Sequence, residues 1–530
     1  MSAIQIPFKS TGFFSKTMLD YLEQQPQIQP FYHNFSDIEG FKKQLEEKKK
    51  AVSQETRKTL VAVLQKQYEN VITSEATLHN INALANNNTF TITTGHQLNL
   101  FTGPLYFLYK IVSAINLCEE LAATFPEEQF VPVYWMATED HDFEEINYFN
   151  FKGKKVQWNT SQTGAVGRFS TEGLEEVLAV FSEHLGTSKN AEYLKALFKK
   201  AYVEHTNLAA ATRYIANELF GTYGLVIIDG DDADLKRQLL PYVTSDFTEQ
   251  LSYKQVMQTT EQLGKHYKIQ VNPREINLFY LTNEIRERIL FENGVYKVNN
   301  TTISWTWNEL EQHMQAHPEC FSPNVIMRPL YQEVLLPNLC YIGGGGELAY
   351  WMQLKNYFEA VSVPFPILLL RNSVQVLSEK QYKKLEKLHI SLEELFKKQN
   401  DLLALKVTEN SEVTVDFSQQ KQFLQKQFNK LREIAAYTDV SFIGAVIAQE
   451  KKQLKGLDTL EKRLLRAEKR KQHDLVNRIT MLQNEILPNQ ALEERQRNFS
   501  EYYLEYGVDF IKALKESLHP LELTFTVLVM

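Results

Sequence analysis

Cysteine is scarce: Cys118, Cys320 and Cys340 are the only three in 530 residues, and no two form a CxxC. This excludes the familiar zinc and dithiol spacings and leaves no disulfide framework, so a reducing compartment is expected. Long apolar runs are missing as well. No stretch approaches the ~18 residues of a membrane span, and the opening MSAIQIPFKSTGFFSK lacks the apolar segment of a signal peptide. The expectation is a cytoplasmic protein with no membrane partner. Basic residues are not in excess. Lys and Arg number 57 against 65 Asp and Glu, a net charge of −8, which argues against a general nucleic-acid binder. The chain also lacks GxSxG, HExxH, GxxxxGK[ST] and GxGxxG. The common nucleophile-elbow, zincin, P-loop and dinucleotide fingerprints are therefore excluded, and no protein-held metal is expected.

What is present is an ordinary soluble composition, 43% hydrophobic and 23% charged. The length implies two to four structural units. Residues 1–88 read as mostly helical, with Leu45, Val52, Leu60, Val63 and Leu64 among many charges. Short apolar runs then read as buried strands at 90–94, 130–137, 224–229, 340–342 and 365–371. Helix-like stretches lie between some of them at 104–122, 205–221, 231–251 and 346–359. Alternation of this kind predicts an α/β fold, a Rossmann-like parallel sheet with helices on its faces. Two segments interrupt it, at about 148–200 and 266–310. The second is expected to be β-rich, with a turn at Glu292-Asn293-Gly294.

After Arg371 the texture changes to Lys, Glu, Gln and Leu with few glycines. Leu457, Leu460, Leu464, Ala467, Lys471, Leu475, Ile479, Leu482 and Ile486 form a heptad seam with a stutter around Lys471. Helices at 376–400 and 418–437 are its expected partners, within the chain or across a dimer. The domain reading is a core at 1–375 and a helical coiled coil at 376–490. A last helix and strand, 491–530, are expected to return to the core.

Polar groups gather where strands should end. TITTGHQLNLFTGPLYFLYKI carries His96, Gln97, Asn99, Thr102, Gly103, Tyr106 and Lys110. Thr102 or Gly103 can cap a helix starting at Pro104, whose amides suit an anion; capping alone also explains the pattern. TEDHDFEEIN places Glu139, Asp140, His141 and Asp142 after the second strand, where ligands of open α/β sheets bind. They could hold an ammonium, bind Mg²⁺ or move protons. Asp229 ends the third strand. In YIGGGGELAYWMQLK, Gly343, Gly344, Gly345 and Gly346 could bring backbone amides to a nucleotide, with Glu347, Tyr350 and Trp351 supplying a carboxylate, a hydroxyl and a stacking surface. Arg328 precedes that turn. The catalytic candidates are Glu139, Asp140, Asp142 and His96; the others are candidate substrate or nucleotide contacts.

Together, TTGHQLNLFTGPLYFLYKI, VPVYWMATEDHDFEEIN, RPLYQEVLLPNLCYIGGGGELAYWMQLK and PNQALEERQRN resemble the bacillithiol-biosynthesis cysteine-adding enzymes, the BshC-type cysteine ligases. The motifs run from residue 91 to about 498. In that family a Pro often stands in the place of Gly345, and a Gln can stand in the place of His96, so the resemblance does not carry His96 as an acid or base. It implies a Rossmann-like core with inserted connecting segments, a C-terminal coiled coil and a homodimer. It also implies amide formation between L-cysteine and the amine of glucosaminyl malate. A free carboxylate needs activation for that step, so ATP is the expected cofactor, with Mg²⁺ as its candidate companion. A nucleotidylyltransferase-like enzyme and a non-catalytic coiled-coil assembly protein are the alternatives.

Overall fold

The computed structural model describes residues 2–530. Two compact units divide them. Phe13–Gln375 and Glu493–Leu528, with the N-terminal strand, make the first, and Val376–Leu492 makes most of the second.

In chain order, the elements that build the first unit's core are α1 (Ile38–Ala51), β1 (Thr89–His96), α2 (Tyr106–Thr124), β2 (Gln129–Met136), β3 (Val226–Asp229), α3 (Ala233–Glu249), α4 (Met327–Leu335), β4 (Asn338–Gly343), α5 (Gly345–Met352) and β5 (Ile367–Leu370). The five strands are all parallel, in the order β3-β2-β1-β4-β5. The chain therefore reverses its direction of travel across the sheet between β1 and β4. That switch point is where open α/β sheets form a ligand crevice.

The strands are continuous apolar or β-branched runs because both sheet faces are covered; every residue of β1 is buried. Phe90, Ile92, Ala114, Leu117, Ile342 and Ile367 share one cluster, which joins α2 to the sheet. Pro132 sits in the middle of β2, normally a poor place for a residue with no N–H. It is tolerated because β3 begins one residue later, at Val226 opposite Val133, so β2 is still an edge on that side.

Both interruptions form compact insertions. The first carries a hairpin, Tyr148–Phe151 with Lys154–Gln157, then helices Leu174–Leu185 and Lys189–Tyr202. The second is a five-stranded antiparallel sheet in which Arg286–Glu292 pairs with Leu278–Leu281 on one side and Val295–Val298 on the other. Asn293 and Gly294 turn that hairpin at φ 52° and 83°, the left-handed pair a two-residue turn requires.

In the second unit, α6 (Ser418–Ala435) and α7 (Val440–Lys471) form a helical hairpin, followed by α8 (His473–Ile486). Asp439 caps α7. Lys421 reaches Glu461 at 2.7 Å, and Arg432 pairs with Glu450 nearer the turn, a spacing only antiparallel helices give. The stutter at Lys471 becomes a break: α7 ends there, and Gln472 leaves helical geometry before α8 begins. The seam is fully buried only at Ile479, Leu482 and Ile486, while Leu460 is 52% exposed. The helices of one chain do not cover it. No helix among the described residues is long and apolar enough to cross a membrane.

Candidate active site

A cavity of about 710 Å³ opens at the carboxyl ends of the parallel strands. Gly95 and His96 of β1, Trp135 and Met136 of β2 and Tyr341 of β4 form its floor. Gly344, Glu347 and Tyr350 come from α5, and Arg274, Phe279, Arg286 and Arg288 from the second insertion. Strand ends thus supply rigid groups, while the insertion supplies a wall.

Lys110 is the central cation of the floor. It is 4% exposed; its Nζ donates to the Gly95 carbonyl at 2.8 Å and meets Glu347 Oε2 at 2.6 Å. Burial pulls the ammonium below its usual range, and Glu347 opposes that pull. Burial alone would push the Glu347 carboxyl up. Lys110, the Gly344 N–H at 2.8 Å and the Tyr341 hydroxyl at 2.9 Å outweigh it and hold the carboxyl low. His96 lies against Tyr106 and Phe107. Burial, then the charge of Lys110, keeps its pKa well below the usual value, and its Nε2 has no partner among the described residues. The imidazole is therefore neutral at pH 7 and suited to hydrogen bonding rather than ion pairing.

The acidic run after β2 separates into different environments. Asp140 accepts from Gln97 Nε2 at 2.9 Å and from the His141 N–H at 2.8 Å. Burial opposes ionisation there, but His141, Gln97 and Arg286 more than offset it, so the carboxylate stays charged. Glu139 goes the other way: burial and nearby Asp231 raise it, although Lys236 stands 2.6 Å away. Arg168 and Lys236 both bind Asp231, closing a buried four-charge cluster beside the cavity. His141 accepts at Nδ1 from Arg286 Nη1 at 2.9 Å.

Six arginines and Lys110 line this one cavity against three carboxylates, Glu139, Asp140 and Glu347. Arg371 is paired, bidentate, with Glu494 at 2.7 and 3.0 Å, yet its buried Nε has no partner among the described residues. Arg274, Arg286, Arg288, Arg328 and Arg495 have no carboxylate at ion-pairing distance among the described residues. Arg286 and Arg288 stand two apart on one strand and therefore share a face, over the ring of Phe279 at 4.2 and 5.8 Å. Such a cavity attracts anions strongly.

Several candidates from the sequence lie elsewhere. Trp351 is fully buried against Tyr341, Phe358 and Phe365, so it packs the core and offers no stacking surface. Asp142 is exposed and outside the cavity wall. Asp229 sits behind Thr138, whose hydroxyl it accepts, and is raised by burial and Asp231. Asn99 and Gly103 line a neighbouring polar cavity of about 300 Å³, which shares Gln97, Tyr106 and Arg495 with the larger one. Thr102 faces neither.

The helix start differs from expectation too. Phe101, Thr102 and Gly103 all take positive φ, α2 begins at Tyr106, and the Leu105 amide donates to the Arg497 carbonyl. Asn498 Nδ2 holds the carbonyls of Phe101 and Gly103. This end of α2 is tied down by protein groups rather than left open for an anion.

The glycine run is not a phosphate nest, since none of its four residues has the positive φ such a concavity uses. Gly343 ends β4, and a Cβ on Gly345 would lie 2.8 Å from Met18. Only Gly344 and Gly346 face the cavity. Among the described residues no three His, Cys, Asp or Glu side chains are placed to hold a metal, so the acidic run is not a ready Mg²⁺ site.

Sequence reasoning named Arg328 but missed Arg274, Arg286, Arg288, Arg371 and Arg495. Arg371 had a usable signal, because it directly follows an apolar strand. Arg286 and Arg288 had only their two-residue spacing inside an insertion whose packing the sequence does not reveal.

Comparison with known proteins extends over the whole length. A chain from Flavobacterium psychrophilum is 56% identical over 524 residues, covering 99% of this chain and 98% of that one. One from Christiangramia forsetii is 56% identical over 528 residues, with 99% and 98% covered. A third, from Flavobacterium johnsoniae, is 55% identical, with 99% of each covered. All three bear the name "Putative cysteine ligase BshC". Residues 1–372 match the model of the N-terminal Rossmann-like domain of bacillithiol biosynthesis BshC, and residues 374–530 that of its C-terminal coiled-coil domain. With a Rossmann-like sheet whose switch point opens on an arginine-lined cavity, the chain belongs to the BshC family of bacillithiol biosynthesis.

Proposed function

We propose that this protein is a cysteine ligase that joins the carboxyl group of L-cysteine to the amine of glucosaminyl malate, forming the amide bond of bacillithiol. The observation that carries the reading is the group of five cavity arginines without a carboxylate partner. Left alone they repel one another; with substrate they meet the two malate carboxylates, the cysteine carboxylate and a polyphosphate. Protein carboxylates are few in the cavity but differ in character, as the amines of the two substrates require.

Asp140, held ionised, is the group for the cysteine ammonium. Glu139, raised by burial, is the group placed to accept the proton lost by the attacking sugar amine. Arg286 and Arg288 clamp the malate carboxylates in the forked geometry guanidinium favours. Lys110, Arg371 and the N-terminal turn of α5 face the reacting carboxyl, where positioning and charge stabilisation supply most of the catalysis. A free carboxylate does not acylate an amine unaided. ATP would supply the activation, and the cavity arginines have the charge to hold its phosphates. The exposed seam of the coiled coil supports assembly as a homodimer.

The test is an assay of purified protein with L-cysteine, glucosaminyl malate and ATP, read by mass spectrometry of thiol products. Bacillithiol is expected. No product from folded protein overturns the ligase reading; product without ATP overturns the activation step alone.

A further inference from the structure

From Arg328 of the cavity wall a line of polar groups runs back through the buried side chains of Gln332 and Glu333 to Lys48 of α1. Arg328, on α4, donates from Nη1 to Gln332 Oε1 at 3.1 Å and from Nη2 to the Tyr350 hydroxyl at 3.4 Å. Gln332 is fully buried, and its Nε2 donates to Glu333 Oε1 at 2.9 Å. That same oxygen accepts from Asn338 Nδ2 at 2.7 Å, and Glu333 Oε2 meets Lys48 Nζ of α1 at 2.7 Å. The side chains of Lys48 and Glu333 have no exposed surface.

The chemistry of this line has a direction. A side-chain amide can turn over, exchanging its oxygen for an NH₂. An NH₂ turned toward Arg328 would oppose donor to donor. Glu333 Oε1 accepts from Asn338 Nδ2 and its Oε2 from Lys48 Nζ, so Glu333 meets Gln332 as an acceptor and admits only the orientation with NH₂ toward itself and oxygen toward Arg328. Lys48 Nζ, 2.7 Å from the other carboxylate oxygen, is the buried charge partner of Glu333.

We infer that Gln332 and Glu333 are positioning residues that fix the guanidinium of Arg328 so that its remaining N–H groups face the substrate anion in the cavity. The pair neither contacts substrate nor moves protons. Its expense is a buried ion pair, which apolar residues could replace without loss of stability. The inference rests on the reading of the cavity as the site of anionic substrates.

Binding of unreactive anions to the full-length protein separates the two ideas. L-malate and inorganic pyrophosphate are titrated separately by calorimetry. R328A identifies the probe that Arg328 holds. Q332L is expected to weaken the same probe about ten-fold while leaving the other unchanged, as a lost orienting contact should. Two double variants remove the buried charges together, so neither leaves an unpaired ion. K48M/E333Q keeps an acceptor for Gln332 and is expected to bind like wild type. K48M/E333L removes the acceptor and is expected to bind about ten-fold more weakly; it also strands the buried amide donors of Gln332 and Asn338, so its unfolding midpoint falls and binding is compared well below that midpoint.

Equal binding by the two double variants, or wild-type binding by Q332L, overturns the relay. So does an R328A variant that weakens neither probe. A wild-type protein that binds neither probe overturns the anionic-substrate reading itself.

Discussion

Lys110 and Glu347 meet at 2.6 Å, joining the second turn of α2 to the first turn of α5 across the switch point of the sheet. Removing the cation leaves a carboxylate held by the Gly344 N–H and the Tyr341 hydroxyl, with the charges of Arg328 and Arg371 acting on it from farther away. K110M should therefore lose about 3 kcal/mol in urea unfolding, typical of one partner left alone in a buried pair. The double variant K110M/E347Q should recover at least about 1 kcal/mol of that loss, because the stranded charge is gone. Because the folded-state pKa of Glu347 is lowered, its stabilisation exists above the ordinary value of 4.5 and disappears as pH falls through the folded value. K110M should show a smaller share of that acid-side loss.

The paired arginines of the insertion should govern affinity rather than turnover. R286A and R288A are each expected to raise KM for glucosaminyl malate by about ten-fold or more with little change in kcat, the mark of a contact present in ground and transition states alike. R286K should rescue only part of this, since an ammonium cannot reproduce the fork that reaches Ser322, Pro323 and His141. Steady-state kinetics at fixed ionic strength decides it. A fall confined to kcat would remove these residues from substrate binding.

His96 should make the fold sensitive to mild acid. Its folded-state pKa lies well below 6.5, so between those two values the unfolded chain binds a proton that the native chain does not. Its contribution to stability is complete above about 6.5 and is lost as pH falls toward the folded value. Replacing the imidazole by an amide, His96→Gln, should remove this dependence. Urea midpoints at pH 7.5 and 5.5 measure it: wild type should lose more between the two than the variant does. Equal losses would mean that the imidazole is protonated without penalty.

These groups were unequally legible in the sequence. β1, β2 and β3 announced themselves as apolar runs followed by polar residues, and His96, Glu139 and Asp140 from those strand ends line the cavity. Trp351 failed for a reason of helical phase: Glu347 and Tyr350 share the face of α5 that looks into the cavity, whereas Trp351, one position on, is carried to the core side. The four glycines looked like a phosphate turn because glycine allows positive φ, but here all four keep negative φ, and only Gly343 and Gly345 are closely packed. The insertion's arginines were invisible for a different reason. Arg274, Arg286 and Arg288 reach the cavity only because the antiparallel insertion folds back over the sheet ends, a long-range event with no local signature.

The helical hairpin supplies the last expectation. Inside it, Phe428, Ala435 and Val446 form a small core, whereas Phe423, Ile434, Tyr437 and Leu460 remain exposed. A groove of about 830 Å³ between α6 and α7 is lined by Phe423, Leu424, Leu457 and Leu460. A two-helix hairpin with so slight a core gains most from a second hairpin laid on its seam, as heptad patterns do in longer coiled coils. Wild-type protein should run as a dimer in light-scattering chromatography at micromolar concentration. F423E/L460E should run as a monomer with unchanged helical content, because both sites face out of the hairpin and their charges would be buried only by a partner. If the variant keeps the wild-type mass, these side chains lie outside the interface. If wild type is itself a monomer, the exposed seam is not a dimerisation surface.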